Sequence, residues 1–203
     1  MQKLLIATTN PAKLNELSCL LSDLPLELVS LHDVGITTEV EEDGKNYIEN
    51  SQKKAREYAR LSGLPAVADD GGLEIVALGG APGLKSHRWL GPHTTEDQLI
   101  AHMTKLAKEL PDANRQAFFK TVVSFALPIG NVQSISGEIE GIIAHEPSLN
   151  LIKGFPYRSF FFLPQINKYY FETELTPEEM KEYNHRVKAV NKLKSLLKET
   201  FHF

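Results

Sequence analysis

Apolar residues recur along most of the chain at the spacings of alternating strands and helices. The apolar run at residues 3–8 predicts a strand, and leucines at helical intervals after Pro11 predict a helix that begins there. Asn10 is a suitable N-cap for this helix, and Pro11 at its first position has no N–H to leave unpaired. The same pattern predicts a second strand at residues 27–31 and a second helix over residues 46–61.

The middle of the chain predicts a strand that ends in an acidic turn. Residues 65–68 are apolar and lead directly into Asp69 and Asp70, which two glycines follow. Because glycine has no Cβ, we expect the backbone to turn sharply there. Residues 73–78 are apolar again, and the glycine-rich residues 79–83 predict a loop.

The second half of the chain predicts two long helices and a hairpin between them. A helix is predicted over residues 95–110. Residues 118–127 and 133–144 are rich in β-branched and aromatic residues on either side of a turn, which predicts a long antiparallel hairpin. Residues 160–163 predict a further strand. Thr176 opens a capping box with proline at the first helical position, and we expect one helix from there to about residue 198.

Length and charge limit the domain count and the partners. With 203 residues we expect one domain, 1–203, of the α/β class, with a mixed twisted sheet flanked by helices. The formal net charge of −4 predicts neither a nucleic acid nor a membrane partner, so any phosphate must be held by local groups. The lone Cys19 excludes an internal disulfide, and we expect it in the core. The apolar run at the N-terminus is too short for a signal or a span, which predicts a cytoplasmic protein.

The first predicted loop carries polar side chains that suit an anion. Thr8, Asn10 and Lys13 stand at the end of the first strand and the start of the first helix, where N–H groups and the helix dipole favour negative charge. A simple capped helix with a solvated Lys13 explains the same residues. The spacings of a P-loop and of a G-x-G-x-x-G turn are absent from the sequence.

Two adjacent carboxylates follow the third predicted strand, where open α/β sheets bind ligands. Asp69 or Asp70, together with Glu42, could hold Mg²⁺, which prefers carboxylate oxygens and keeps several of its waters. One of the aspartates could also activate a water molecule. An Asp-Gly turn with solvated carboxylates, and a solvated acidic loop at residues 39–43, are the alternatives.

Basic residues on two predicted helices are the last candidates for the functional site. Lys54 can face the acidic site, although ion pairs along the helix surface explain it equally well. His185 and Arg186 lie in the middle of the predicted C-terminal helix, where they can reach a phosphate or a base edge, and a surface pair is the alternative. The histidines and Cys19 show no zinc-type spacing.

Five short motifs occur in a fixed order along the chain. They are Thr8-Thr9-Asn10-x-x-Lys13-x-x-Glu16, Glu41-Glu42-x-Gly44, Asn50-x-x-x-Lys54-Ala55, Ala68-Asp69-Asp70-x-Gly72-Leu73-Glu74 and Ala77-Leu78-Gly79-Gly80-Ala81-Pro82-Gly83-x-x-Ser86-x-Arg88. With these motifs the chain resembles the inosine triphosphate pyrophosphatase family. Further matches extend through Gly154-Phe155 and His185-Arg186, so the resemblance covers nearly the whole chain.

The resemblance implies a two-lobed α/β fold, a homodimer, and a cleft between the lobes that binds a nucleoside triphosphate with Mg²⁺. The implied reaction cuts noncanonical purine triphosphates such as ITP, dITP and XTP to the monophosphate and pyrophosphate, which cleans the nucleotide pool. Glu42, Asp69 and Asp70 would hold the metal, and Asp70 would also activate the water. The implied phosphate contacts are Thr8, Asn10, Lys13 and Lys54.

The resemblance assigns eight residues to the base and ribose, and four of them, Gly71, Pro156, Arg158 and Met180, depart from the family pattern. The eight are Gly71, Phe155, Pro156, Tyr157, Arg158, Met180, His185 and Arg186. The family has serine at position 71, glycine at 156, aspartate at 158, lysine at 180, and serine where this chain has Asn184. Arg158 therefore replaces a hydrogen-bond acceptor by a donor, and Met180 removes a cation.

The motifs that match the family pattern and the residues that depart from it leave three hypotheses open. The first is a hydrolase, with either the base preference of the family or a shifted one. The second is a nucleotide-binding protein without turnover, which binds a triphosphate and does not consume it. The third is a generic α/β binding module whose motifs are coincidental, which the ordered matches over most of the chain disfavour.

Overall fold

The computed structural model describes residues 1–171 and 173–203. Its strands are β1 (Gln2–Ile6), β2 (Leu26–Ser30), β3 (Ala66–Ile75), β4 (Gln116–Ala126), β5 (Val132–Ile143), β6 (Phe161–Leu163) and β7 (Lys168–Tyr169). Its α-helices are α1 (Pro11–Leu21), α2 (Tyr47–Ser62), α3 (Glu96–Glu109), α4 (Pro177–Tyr183) and α5 (His185–Phe201). Short 3₁₀ helices at Val76–Leu78, Gly83–Arg88, Asp112–Asn114 and Pro156–Phe160 complete the connections.

The strands in the described residues form one sheet in the order β2-β1-β3-β4-β5-β6-β7. Strand β1 pairs in parallel with β2 and β3, whereas β6 is antiparallel to β5 and β7. Strands β4 and β5 are neighbours joined only by residues 127–131, which allows a hairpin and is too short for a parallel crossover. The mixed sheet with flanking helices confirms the predicted α/β class and its long hairpin.

The chain divides into two compact units. Unit 1 consists of Met1–Asp70, Thr121–Gly137 and Arg186–Phe203. Unit 2 consists of Gly71–Lys120 and Glu138–His185. Each unit is therefore assembled from separate stretches of the sequence.

Unit 1 has an apolar layer on each face of its strands. Leu4 and Ile6 pack with apolar residues of α1 and α5, and Leu5 and Ala7 pack with those of α2. Because successive side chains of a strand point to opposite faces, β1 supplies both layers in alternation. In unit 2, by contrast, one cluster joins α3 to aromatic residues of the later strands, among them Phe119.

Strand β3 does not end where the sequence predicted. It runs without a break from Ala66 to Ile75, through Asp69 and the two glycines that were expected to form a turn. Glycine also adopts extended backbone, and the buried Leu73 and Ile75 continue the strand's apolar pattern beyond the acidic residues. The predicted turn was wrong because tertiary pairing outweighed the local preference of glycine.

The C-terminal helix is broken where one continuous helix was predicted. Asn184 lies between α4 and α5 in extended backbone, with φ −120° and ψ 115°. His185 therefore opens α5 instead of lying in mid-helix. The capping box at Thr176 is confirmed. Cys19, expected in the core, is exposed.

No helix in the described ranges, 1–171 and 173–203, is both long enough and apolar enough to cross a membrane.

Candidate active site

Strand β3 turns its two aspartates to opposite faces of the sheet. Val67 packs in the layer of α1 and α5, whereas Ala66 and Ala68 pack in the layer of α2. By the two-residue period of a strand, Asp69 shares the face of Val67 and Asp70 shares the face of Ala68. The chain thus places one carboxylate toward α1 and α5 and the next one toward α2.

Asp69 lies in a buried network of charges. Its Oδ2 is 3.2 Å from Lys13 Nζ and accepts hydrogen bonds from the Arg186 guanidinium at 3.0 and 3.2 Å. Arg186 also donates to Glu16 at 2.5 Å. Burial alone would raise the pKa of Asp69, but the two cations outweigh it and hold that pKa well below its usual range. Asp69 is therefore ionised, and the alternatives of a solvated Lys13 and a solvated Asp-Gly turn are wrong.

Asp70 has a different environment from its neighbour. Its Oδ2 accepts a hydrogen bond of 2.9 Å from the amide of Asn50, and its side chain is buried. Burial raises the pKa of Asp70, and the charge of Glu42 adds to this, against the opposing charge of Lys54. A carboxylate with a raised pKa takes up a proton more readily, which suits a general base.

Lys54 lies beside the acidic loop. Its ammonium is 2.5 Å from Glu42 Oε1, and the side chain is largely buried. Burial lowers the pKa of Lys54, but the charges of Asp70 and Glu42 outweigh it and raise that pKa overall. The neighbouring Lys53 instead pairs with the exposed Asp43 at 2.6 Å. The helix therefore directs only one of these lysines toward the aspartates.

The loop between β1 and α1 is organised by its own side chains. Asn10 Oδ1 accepts from the N–H groups of Ala12 and Lys13, which confirms the predicted N-cap. Thr8 Oγ1 accepts from the N–H of Asn10 at 3.2 Å. Two of the first-turn N–H groups are thus held by the cap, and contact of Thr8 or Asn10 with phosphate stays a prediction.

Arg158, in unit 2, is buried between aromatic rings. Its guanidinium carbon lies 3.8 Å from the centre of the Phe155 ring and 4.8 Å from that of Tyr170. The Tyr170 hydroxyl is 3.0 Å from His185 Nδ1, and the His185 ring stacks on Phe119 at 5.3 Å between centres. We call these five residues the Arg158 cluster. His185 and Arg186 are both buried, so the alternative of a surface pair is wrong.

Pro156 and Tyr157 hold the segment that carries Arg158. Pro156 begins a 3₁₀ helix, a position where its missing N–H needs no partner, which explains how the chain accommodates this departure. The Tyr157 hydroxyl donates to the carbonyl of Ser86 at 2.5 Å. Burial raises the pKa of Tyr157 above its usual range, so the hydroxyl keeps its proton and acts as a structural donor.

The other three positions at which the chain departs from the family pattern are Gly71, Met180 and Asn184. Gly71 lies in the extended backbone of β3. Met180 lies on α4 and packs against the apolar core of unit 2, where the family's lysine would present a charge. Asn184 is fully buried at the break between α4 and α5.

The structure groups the predicted residues into two sets. Unit 1 contains Thr8, Asn10, Lys13, Glu42, Lys54, Asp69, Asp70 and also Arg186, whose ion pairs join it to Asp69. Unit 2 contains Gly71, Phe155, Pro156, Tyr157, Arg158, Met180 and His185.

Sequence reasoning gave no role to Glu16, Asn50 or Tyr170. Glu16 and Asn50 stand in the motifs already quoted, spaced by three and four residues from Lys13 and Lys54. That spacing puts both residues on the same helix faces as the two lysines, which was a usable signal. The position of Tyr170 had no such local signal, because its partners are distant in sequence.

The acidic residues fit a hard divalent cation. Within residues 1–171 and 173–203 no three His, Cys, Asp or Glu side chains form a ready metal cage. Mg²⁺ usually binds one or two carboxylates and completes its shell with waters and substrate phosphates, and Glu42 and Asp70 supply two such groups. Asp69 Oδ1 is also buried and has no hydrogen-bond partner among the described residues.

Comparison with known proteins gives a consistent result. A model described as the Ham1 family matches residues 4–196. The chain is 38% identical over 200 residues to a curated dITP/XTP pyrophosphatase of Pectobacterium atrosepticum, covering 98% of this chain and 99% of that one. A solved structure described as a HAM1 protein from Coxiella burnetii matches with a TM-score of 0.81 at 33% identity, over 98% of this chain and 100% of the other.

A second solved structure extends this similarity. It is described as a nucleoside-triphosphatase / dITP/XTP pyrophosphatase from Mycobacterium abscessus, and it is 37% identical with a TM-score of 0.70. The match covers 95% of this chain and 98% of that structure. The similarity therefore spans both units of the chain and not only the motifs around the aspartates.

Proposed function

The chain belongs to the Ham1 family, which confirms the predicted resemblance, and from this premise we propose that it hydrolyses nucleoside triphosphates to the monophosphate and pyrophosphate. The expected substrates are noncanonical purine triphosphates such as dITP, ITP and XTP, whose removal cleans the nucleotide pool. The observation that carries the proposal is the buried Asp70, with its raised pKa, beside the Glu42 and Lys54 pair.

Asp70 acts as the general base in this reaction. It takes a proton from a water molecule whose oxygen forms the new bond to the α-phosphorus. The bond between the α-phosphorus and the oxygen that bridges to the β-phosphorus breaks, and pyrophosphate leaves with that oxygen. The substrate is thereby hydrolysed without any change of oxidation state.

Glu42 and Asp70 would hold Mg²⁺, which when bound neutralises phosphate charge and polarises the phosphoryl oxygens. Lys54 adds a fixed positive charge beside the same carboxylates, and Lys13 adds another near Asp69. Asp69 supports the site by orienting the cationic groups of Lys13 and Arg186. Thr8, Asn10, Lys13 and Lys54 are the proposed phosphate contacts.

The proposed contacts of the base are Gly71, Phe155, Pro156, Tyr157, Arg158, Met180, His185 and Arg186. Here a specific observation favours a second candidate function, a hydrolase with a shifted base preference. The guanidinium of Arg158 covers one face of the Phe155 ring at 3.8 Å, and it offers donors only. A site built in this way favours a base edge rich in acceptors.

Three further properties belong to the same proposal. We expect the two units to act as a single domain, 1–203, because each is assembled from separate stretches of the chain. The family resemblance supports a homodimer, which sedimentation equilibrium would test. It also supports a cytoplasmic location.

Pyrophosphate release tests the proposed function directly. Purified protein with Mg²⁺ is given ITP, XTP, dITP, GTP, ATP, CTP and UTP in parallel. Fast release from ITP, dITP or XTP supports the family's specificity, and fast release from another nucleotide supports the shifted preference. No release from any of them, with a triphosphate still bound in equilibrium dialysis, would replace hydrolysis by binding without turnover.

A further inference from the structure

The side chain of Asn50 makes hydrogen bonds at both of its ends. Its Nδ2 donates to Asp70 Oδ2 at 2.9 Å, and its Oδ1 accepts from the backbone N–H of Gly44 at 2.7 Å. The residue is only 1% exposed, in the first turn of α2. One buried amide therefore joins strand β3 to the loop that carries Glu42.

Gly44 lies too close to Asn50 for any side chain. A Cβ added to Gly44 would come within 2.5 Å of Asn50 Oδ1 and 2.8 Å of the Cβ of Glu49. Real Cβ atoms do not approach other heavy atoms this closely, so the loop passes against α2 only because position 44 is glycine. The close approach and the hydrogen bond of its N–H fix the loop two residues after Glu42.

An amide suits this position better than a charged group would. It offers a donor to the carboxylate and an acceptor to the N–H at the same time. A buried hydrogen bond to a carboxylate also fixes the orientation of the carboxylate group. Asn50 can thus set the orientation of Asp70 and the position of Glu42 together.

We infer that Asn50 is a positioning residue that holds Glu42 and Asp70 at the separation and orientation needed to bind a divalent cation. This inference rests on the proposed function, since it takes these two carboxylates as the metal ligands. Asn50 itself contacts neither the metal nor the substrate. It acts by organising the carboxylates before the cation binds, with Gly44 as its partner on the loop.

The test measures cation binding separately from turnover. Binding of Mn²⁺ is followed by electron paramagnetic resonance, and pyrophosphate release is measured against Mg²⁺ concentration with the best substrate. Asn50→Ala should weaken Mn²⁺ binding by about 10- to 100-fold, the usual effect of removing a group that orients a metal ligand. Turnover at saturating Mg²⁺ should fall much less than turnover at low Mg²⁺.

Gly44→Ala provides a second variant that acts from the loop. It should also weaken Mn²⁺ binding, because the new Cβ must displace either the loop or the Asn50 amide. The double variant should lose less than the product of the two single effects, because each single change breaks the same contact.

Ser51→Ala is the matched control. Ser51 is the next residue of α2 and is equally buried, and its hydroxyl lies 2.8 Å from that of Ser124. The Ser51→Ala variant should have a lower free energy of unfolding and an unchanged Mn²⁺ dissociation constant. The inference would be overturned if the Mn²⁺ dissociation constant of an active Asn50→Ala variant lay within twofold of the wild-type value. A shift of this constant equal to that of Ser51→Ala would overturn it as well. A wild type that neither binds Mn²⁺ nor releases pyrophosphate would overturn the proposed function as well.

Discussion

Unit 1 and unit 2 build their candidate functional residues from different kinds of contact. In unit 1, buried charges lie in opposed pairs, with Asp69 between Lys13 and Arg186 and Glu42 against Lys54. In unit 2, the Arg158 cluster consists of stacked rings around one guanidinium and one imidazole. All five departures from the family pattern lie in unit 2, with Gly71 as the first residue of that unit.

The difference shows which kind of site tolerates change. A buried charge that loses its partner is strongly destabilising, so a charge network must be kept or replaced as a whole. Stacked aromatic groups can exchange one partner for another and remain packed. A cluster of rings can therefore accept a single substitution such as Arg158, whereas the buried charge network around Asp69 must keep its pattern.

The largest expected effect is on turnover in unit 1. Asp70→Asn removes the proposed base and should lower kcat by about 100- to 10,000-fold. Because the pKa of Asp70 is raised in the folded chain, its ionisation at neutral pH opposes folding, so the neutral variant should be at least as stable as the wild type. Pyrophosphate release and urea unfolding measure the two quantities. Asp43→Asn, in the same acidic loop as Glu42, is the control, and near-normal turnover of Asp70→Asn would remove Asp70 from catalysis.

The next effect concerns the stability of the charge network. Arg186→Met leaves Glu16 and Asp69 without this partner and should lower the free energy of unfolding by about 3–5 kcal/mol at pH 7. A carboxyl with a depressed pKa stabilises the fold above its unfolded pKa, and this contribution is lost as pH falls. The difference in the free energy of unfolding between wild type and variant, measured by urea unfolding at several pH values, should therefore shrink below about pH 4. A difference independent of pH would show that lost packing, and not charge pairing, causes the destabilisation.

A smaller effect is expected on specificity in unit 2. Arg158→Asp with Met180→Lys restores the acceptor and the cation of the family pattern, and it should shift the ratio of kcat/KM values toward ITP and XTP by about tenfold or more. Met180→Leu, which keeps the apolar packing of α4, is the control. Both proteins are compared by competition between two nucleotides in one reaction. An unchanged ratio would put base specificity outside these two positions.

The smallest effect is expected inside the Arg158 cluster. Tyr170→Phe removes the hydroxyl next to His185 Nδ1 and should lower the free energy of unfolding by about 1 kcal/mol. Tyr169→Phe, which removes an exposed hydrogen bond to the carbonyl of Glu146, should lower it less. Thermal unfolding of both variants gives the comparison. Equal losses would indicate that the hydroxyl of Tyr170 contributes no more than a surface group.

Much of unit 1 could be predicted from the sequence because its signals are local. The cap at Asn10, the helix that carries Lys54 and the strand before Asp69 each depend on a few neighbouring residues. The continuation of β3 past Asp70 could not be predicted, since the glycines favour a turn until partner strands hold them extended. The opposite directions of the two aspartates depend on that continuation, so they could not be predicted either.

The surroundings of Arg158 were beyond local reasoning for a different reason. Phe155 is near it in sequence, but the contact of Arg158 with Tyr170, and that of Tyr170 with His185, arise only from the fold of unit 2. The break at Asn184 was missed because the apolar pattern continues across it, while the buried asparagine adopts extended backbone. Sequence spacing predicts neighbours along one element, and it cannot rank contacts between elements.

Because Asp69 and Asp70 point to opposite faces of β3, their directions depend on whether the number of residues before them in the strand is odd or even. Deleting or inserting a single residue between Ala66 and Asp69 would turn each carboxylate to the opposite face of the sheet, so that neither would keep its present partners. A substitution changes one side chain of the strand, whereas a change of length by one residue turns every following side chain to the other face. Insertions in evolution or in design should therefore be tolerated in pairs here, or not at all.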